Sequence, residues 1–445
     1  MKIYKLVFLL FSISLLPASE ELSGEEAFGS RSYGDFENPE SCKSCHTHIY
    51  QQWSQAMMSK AYTHHWDEIE YWDLAVPHSE KDPFFKEAAD GCNGCHTPLA
   101  YLAGDVPPPR PSENSRANES VSCDLCHSIT GVDGDPVNFN WISEPGRTKF
   151  GAKEGLVSPH HITEKRDIYT QTEYCGSCHN EMNPFGIPVK STQTEWAEGP
   201  YGEEGVPCFV CHMPKAPGRS APMADEGMVA QHTFLGAHNE AKLKSAIEVS
   251  IHPDEREIPY DGTVEFQVEL FNAKAGHKVP TGSVEDRIMW LDVRAVDETG
   301  NEYHLPVDLK GFDGEEYTVA KDELAYSDMG FPLGINDFEG VQRDGIPVGN
   351  RIFRMPYFDE NGIMTIMQWN TRSLGVDYRI GPRETKLEHF TWEMPGDIAF
   401  GFVTVTARLY YQKLVKPVAD FLEVPEDESE KILINEASTV FEVYD

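Results

Sequence analysis

Hydrophobic and polar positions alternate cleanly in the second half of the chain and almost nowhere in the first. Residues 263–271 read Thr-Val-Glu-Phe-Gln-Val-Glu-Leu-Phe, the period-two pattern of a strand with one buried face. Residues 288–296 predict a second strand, ended by the turn Asp297-Glu-Thr-Gly300. Residues 400–411 predict a third and 431–444 a fourth. Several strands with turn signals between them and little helical period predict a β-sandwich. Residues 311–385 are glycine-rich without a clean period, and are expected to hold strands and a long insertion of the same β domain.

The first half predicts short helices and long loops. A helix is expected over 47–61, where Tyr50, Trp53 and Met57 recur at three- and four-residue spacing. Residues 106–111 and 131–136 carry loop signals. Residues 214–227, rich in Pro, Ala, Gly and Met, read as a linker between the halves.

Composition changes the picture at the N-terminus. A short basic start, an apolar run over 6–16 and small residues at Ala18 and Ser19 predict a secretory signal peptide over 1–19. The run is too short to span a bilayer comfortably. No cysteine stands at its exit to take a lipid, so an exported, soluble mature chain is expected, periplasmic or extracellular. Residues 20–41 read as a polar leader. The formal net charge is −36, from 73 acids and 37 bases, which argues against a nucleic-acid partner and for redox partners with basic docking patches. At 445 residues two or three domains are expected.

The chemistry lies in five copies of Cys-x-x-Cys-His. They are Cys42–Cys45–His46, Cys92–Cys95–His96, Cys123–Cys126–His127, Cys175–Cys178–His179 and Cys208–Cys211–His212. This is the attachment pattern of a c-type haem: two thiols take up the porphyrin vinyl groups and the adjacent imidazole lies under the iron. Zinc sites also use Cys-x-x-Cys but do not require a histidine directly after it, and five redox dithiols in one chain would be unusual. All ten cysteines fall inside the motifs, so none is left for a disulfide. Five covalently bound haems are expected, and with so few residues per haem the porphyrins must supply much of the apolar core.

The expected fold is therefore α+β: a haem-dominated multihaem cytochrome c domain over 42–240, then an immunoglobulin-like β domain over 245–445. The proximal iron ligands are His46, His96, His127, His179 and His212. Candidate sixth ligands are His65 from the 64/65 pair, His78, His161 from the 160/161 pair, His232 and His277, the last in a turn-rich loop after the first β-strand. Met58 is a thioether candidate for the first haem. His252, His304 and His389 lie in or beside predicted strands and are not expected to ligate.

The first motif through Trp53 and the Met57–Met58 pair resembles multihaem cytochromes c related to the tetrahaem electron carrier of hydroxylamine oxidation. The segments Cys92-Asn-Gly-Cys-His-Thr-Pro-Leu, Val121-Ser-Cys-Asp-Leu-Cys-His and Glu195-Trp through Gly205-Val-Pro-Cys-Phe-Val-Cys-His-Met213 look like a family of exported multihaem cytochromes. The loop Ala275-Gly-His-Lys-Val-Pro-Thr-Gly282 is similar to that family as well. The resemblance covers most of residues 40–300, and it implies electron transfer without naming a substrate. It departs at Met58, near which the tetrahaem relative has a histidine. Pentahaem nitrite reductase is a second comparison, but its catalytic haem resembles a Cys-x-x-Cys-Lys site, and every motif here ends in histidine.

An electron carrier is the expected function, with no catalytic residue assigned. Two alternatives stand beside it. One is an oxidoreductase with an open-coordination haem, flanked by residues such as Arg147, Lys149, Tyr169 or Tyr174, acting on a small nitrogen or sulfur compound. The other is a homo-oligomer stacked into an extracellular conductive filament.

Overall fold

A computed structural model describes residues 28–309, 325 and 345–445. The expected signal peptide, most of the leader and much of the 311–385 insertion lie outside the described residues. The first half is built of short helices, as its broken periodicity predicts. These include α1 (Pro39–Lys43), α2 (Thr47–Trp53), α3 (His65–Ile69), α4 (Lys86–His96), α5 (Cys123–Cys126), α6 (Glu173–His179) and α7 (Cys208–His212). Each attachment motif begins in a helical turn, and three-residue spacing on a helix puts both cysteines on one face.

The helix expected over 47–61 stops after Trp53. Ala56 takes an extended backbone (φ −79°, ψ 151°), and a short 3₁₀ turn covers Met57–Lys60. The Trp53 indole N–H donates to the carbonyl of Val121 at 2.9 Å, so the segment bends toward the third motif instead of continuing. The expected linker over 214–227 is likewise structured. Lys215–Gly218 pairs antiparallel with Gly227–Ala230, and the connection turns back onto the first motif.

The second half is two antiparallel-dominated sheets. Strands β1 (Ile247–Pro253), β3 (Thr263–Asn272) and β7 (Thr385–Glu393) form one, in the order β7-β3-β1. The other joins β2 (Glu257–Pro259), β9 (Ile432–Tyr444), β8 (Gly401–Gln412), β4 (Ile288–Val296) and β5 (Glu302–His304), with β6 (Arg351–Phe353) also on β4. Alternation does what it predicts. Val264, Phe266, Val268 and Leu270 of β3 pack in one core with Met289, Leu291, Val293, Val405, Leu409 and Phe441 of the facing sheet. Phe266 sits flat on Phe390 of its own sheet, 5.1 Å between ring centres, and 6.1 Å from Phe441 of the other. Among the described residues one pair departs from the antiparallel rule within these two sheets: β2 runs parallel to β9.

Strand β4 is buried on both faces. Its other face, Ile288 and Trp290, packs with helix α8 (Lys416–Leu422) and with Trp66 of α3. That second core fastens the motif-bearing half onto the β half.

Candidate functional site

Four of the five motif histidines are held in one common way. Nδ1 of His46 lies 2.7 Å from the Ser220 carbonyl, that of His96 2.6 Å from Ala61, that of His127 2.7 Å from Phe150, and that of His212 2.7 Å from Leu235. A carbonyl can only accept, so each ring carries its proton on Nδ1 and turns a bare Nε2 lone pair outward, which is the tautomer a metal needs. Two of the four carbonyls, Ser220 and Leu235, come from beyond the fifth motif. His179 has no such partner among the described residues.

Three of the expected sixth ligands stand opposite proximal rings. His161 is 6.3 Å from His46, His232 is 6.4 Å from His127 and His277 is 6.3 Å from His212, ring centre to ring centre, with interplanar angles of 29°, 34° and 18°. Two metal–nitrogen bonds of about 2 Å plus two ring radii of about 1.1 Å come to about 6.2 Å. The spacing is that of two imidazoles sharing one metal. His232 and His277 also have Nδ1 near a backbone carbonyl, Ala230 at 3.0 Å and Lys278 at 2.9 Å.

The remaining candidates go elsewhere. His78 Nδ1 accepts from the Trp369 indole N–H at 2.9 Å, so the neutral ring carries its hydrogen on Nε2. His65 Nε2 faces Glu428 Oε1 at 3.2 Å. No histidine ring stands opposite His96 or His179 at the 6.3 Å spacing, and all 17 histidines lie among the described residues. His252, His304 and His389 lie on β1, β5 and β7. Met58 contributes its carbonyl to Val121 N–H at 3.1 Å. Tyr169 and Tyr174 both donate to the Cys126 carbonyl, at 2.5 and 3.0 Å, and Lys149 pairs with Asp124 at 2.5 Å. These three brace the third motif.

The loop that carries His277 is clamped by charges the sequence did not reveal. Glu195, of the motif-bearing half, accepts from Arg379 Nη1 at 2.6 Å, from Thr281 at 2.8 Å and from Lys278 N–H at 3.2 Å. Asp377 bridges Arg379 at 2.8 Å and Lys278 at 2.7 Å, and these cations hold its carboxyl down at about 2 against the pull of burial. Gly282 closes the loop at φ +77°, where a Cβ would lie 2.8 Å from Arg287 Nη1. Asp377-Tyr-Arg379 has no periodic or motif signal, so only the fold could bring it to Glu195. A second group is the acids Glu70, Glu285 and Asp286, the first two near Lys190 and the third near Arg287; burial raises all three, Glu285 to about 7.

The motifs touch in an order different from the sequence. The Cys42 thiol is within hydrogen-bonding reach of Cys123, Cys95 of Cys178, and Cys175 of Cys208. Cys126 also feels Cys178. The first, third, fourth and fifth motifs thus make one string, with the second branching from the fourth.

Residues present fit covalently held haem. Cysteine is among the most buried residue types, yet none of the ten is fully buried and Cys211 is exposed. Burial keeps several of the neighbouring histidines neutral: His212 and His232 sit at about 4, and His127 and His277 are lowered.

Comparison with known proteins agrees. Residues 41–128, which hold the first three motifs, match the family described as cytochrome c554 and c-prime. No curated protein matches. The penta-heme cytochrome c552 from Thermochromatium tepidum is 20% identical and superposes with a TM-score of 0.64, covering 92% of this chain and 99% of that one. The shared fold is that of a multihaem c-type cytochrome. A family 123 glycoside hydrolase from Clostridium perfringens (7% identity, 45% of this chain, 28% of that one, TM-score 0.18) and Spo0M from Bacillus subtilis (11%, 45%, 50%, 0.17) are too distant to carry an argument. No helix among the described residues is long and apolar enough to cross a membrane.

Proposed function

We propose that this chain is an exported cytochrome that holds five c-type haems covalently and carries electrons between redox partner proteins. The observation that carries the reading is the three opposed histidine pairs, each spaced for one six-coordinate metal and each built on a different motif. Haem, when bound, supplies a one-electron iron couple. The protein's part is to hold and tune it. Ten cysteines tether, the proximal Nε2 atoms ligate, and the carbonyls behind Nδ1 of His46, His96, His127 and His212 fix those rings' tautomer and raise their basicity. His161, His232 and His277 close the sixth positions at the first, third and fifth motifs. The approach of motif to motif, a string of four with the second branching from the fourth, supports transfer rather than five separate chemistries. The β half contributes His277 and, through the Glu195–Arg379 clamp, holds it in place; an immunoglobulin-like assignment for that half belongs to the same proposal.

A second reading, an oxidoreductase with an open iron, is favoured by the lack of an opposed histidine at His96 and His179. Electron paramagnetic resonance on the purified, air-oxidised protein, with haem content measured in parallel, separates the two. Five haems per chain with low-spin ferric signals alone support the carrier. A high-spin component that shifts on adding nitrite, hydroxylamine or sulfite makes the protein an oxidoreductase with relay haems.

A further inference from the structure

Helix α3 begins with a histidine pair that the haem motifs leave aside. The rings of His64 and His65 lie 4.6 Å apart at 25°. Both point at one oxygen from the far end of the chain: His64 Nε2 and His65 Nε2 are each 3.2 Å from Glu428 Oε1. Glu428 sits on the 3₁₀ turn Glu426–Ser429, after α8. Trp66, the next residue of α3, is buried in the core formed by β4 and α8, so packing alone brings the two segments together.

We propose that His64, His65 and Glu428 form a site for a divalent transition ion of the Zn²⁺ type, which clips α3 to the β half. One ligand atom from each residue lies within 4.8 Å of the others. Ligand atoms about 2.0–2.1 Å from a tetrahedral ion stand about 3.3 Å apart, and both nitrogen–oxygen separations match. Hydrogen bonding accounts for only half of the arrangement: His64 Nε2 is hydrogen-bonded to Glu428 Oε1 at 3.2 Å. His65 Nε2 is buried and has no hydrogen-bond partner among the described residues in spite of its 3.2 Å approach, and buried polar atoms are rarely left so.

The outer groups are those a metal site uses. Asp67 Oδ2 lies 3.4 Å from His64 Nδ1, the carboxylate behind a ligating imidazole that orients the ring and strengthens it as a donor. Lys413 Nζ lies 3.2 Å from Glu428 Oε2, and holds the second oxygen so that Oε1 faces the histidines. The His65 side chain is 39% exposed while His64 and Glu428 are under 10%, which leaves one side open for entry and for a water as fourth ligand. Two imidazoles and a carboxylate, without thiolate, suit a borderline ion and not a soft one.

The test is zinc titration of the tag-free, haem-loaded protein after chelator treatment, followed by calorimetry and by metal analysis of the dialysed sample. One zinc per chain is expected to bind. H65A removes an exposed ligand that makes no other hydrogen bond, and is expected to weaken binding at least about tenfold with the circular dichroism and haem spectra unchanged. E428Q, which keeps the side-chain shape, is expected to weaken it similarly. Absence of stoichiometric binding, or binding indifferent to both substitutions, overturns the site and leaves an ion-paired imidazolium in its place.

Discussion

His277 lies 6.3 Å from His212, ring centre to ring centre, although one belongs to the loop after β3 and the other to the last Cys-x-x-Cys-His motif. The β half therefore sets a ring opposite a motif that the other half carries. Replacing His277 by Ala is expected to leave one iron without its sixth protein ligand. Ferric spectra of the variant should show one new high-spin component or an exogenous-ligand shift, absent in a His389→Ala control on β7. Unchanged low-spin spectra would remove His277 from the ligand set.

Denaturing mass spectrometry reads the covalent proposal directly. The mature chain should weigh its residues from about position 20 onward plus five haems, and the double substitution of Cys123 and Cys126 by Ser should lose one haem mass. A chain with fewer haems in the unsubstituted protein would contradict the attachment at one motif.

The clamp on the His277 loop has a measurable stability. Arg379 and Glu195 are both nearly fully buried and pair at 2.6 Å. Removing one partner of a buried pair strands the other charge, and Arg379→Met is expected to cost about 3–5 kcal/mol in denaturant unfolding. Because the loop then loosens, the same variant should also broaden the low-spin signal assigned to the His212 site. A loss below about 1 kcal/mol would mean that solvent reaches the pair.

Asp377 makes that clamp pH-dependent. Its carboxyl is held down to about 2 from an ordinary value of 3.8, so the folded state binds the proton less tightly than the unfolded chain. The stabilisation is fully present above about pH 4 and is lost as pH falls toward 2, on the order of 2 kcal/mol. Asp377→Asn should flatten this part of the stability–pH curve. An identical acid slope in the variant would assign the loss to other carboxylates.

Much of the β half was legible because alternation is a local signal. The four predicted strands appear within a residue of their expected ends; in β3, β8 and β9 one buried face forces period two whatever the partner. The helix over 47–61 and the linker over 214–227 were misread for the opposite reason. Trp53 finds its acceptor on Val121, and Ser220 finds His46; both partners lie far away in sequence, so no local pattern announces them. Glu195, Asp377 and Arg379 were missed in the same way.

The sequence by itself determined that this is a multihaem c-type cytochrome, because two thiols and an imidazole at fixed spacing in a single helical turn need no distant residue to make their case. Which histidine faces which motif was decided only by the tertiary structure. His161, His232 and His277 stand opposite motif histidines across loops, a folded-back hairpin and the β half, while His65 is drawn to Glu428 and His78 to Trp369. The order in which the motifs touch was decided there too. Contacts between them depend on how short helices pack, and packing is set by buried surface and complementary charge gathered from the whole chain.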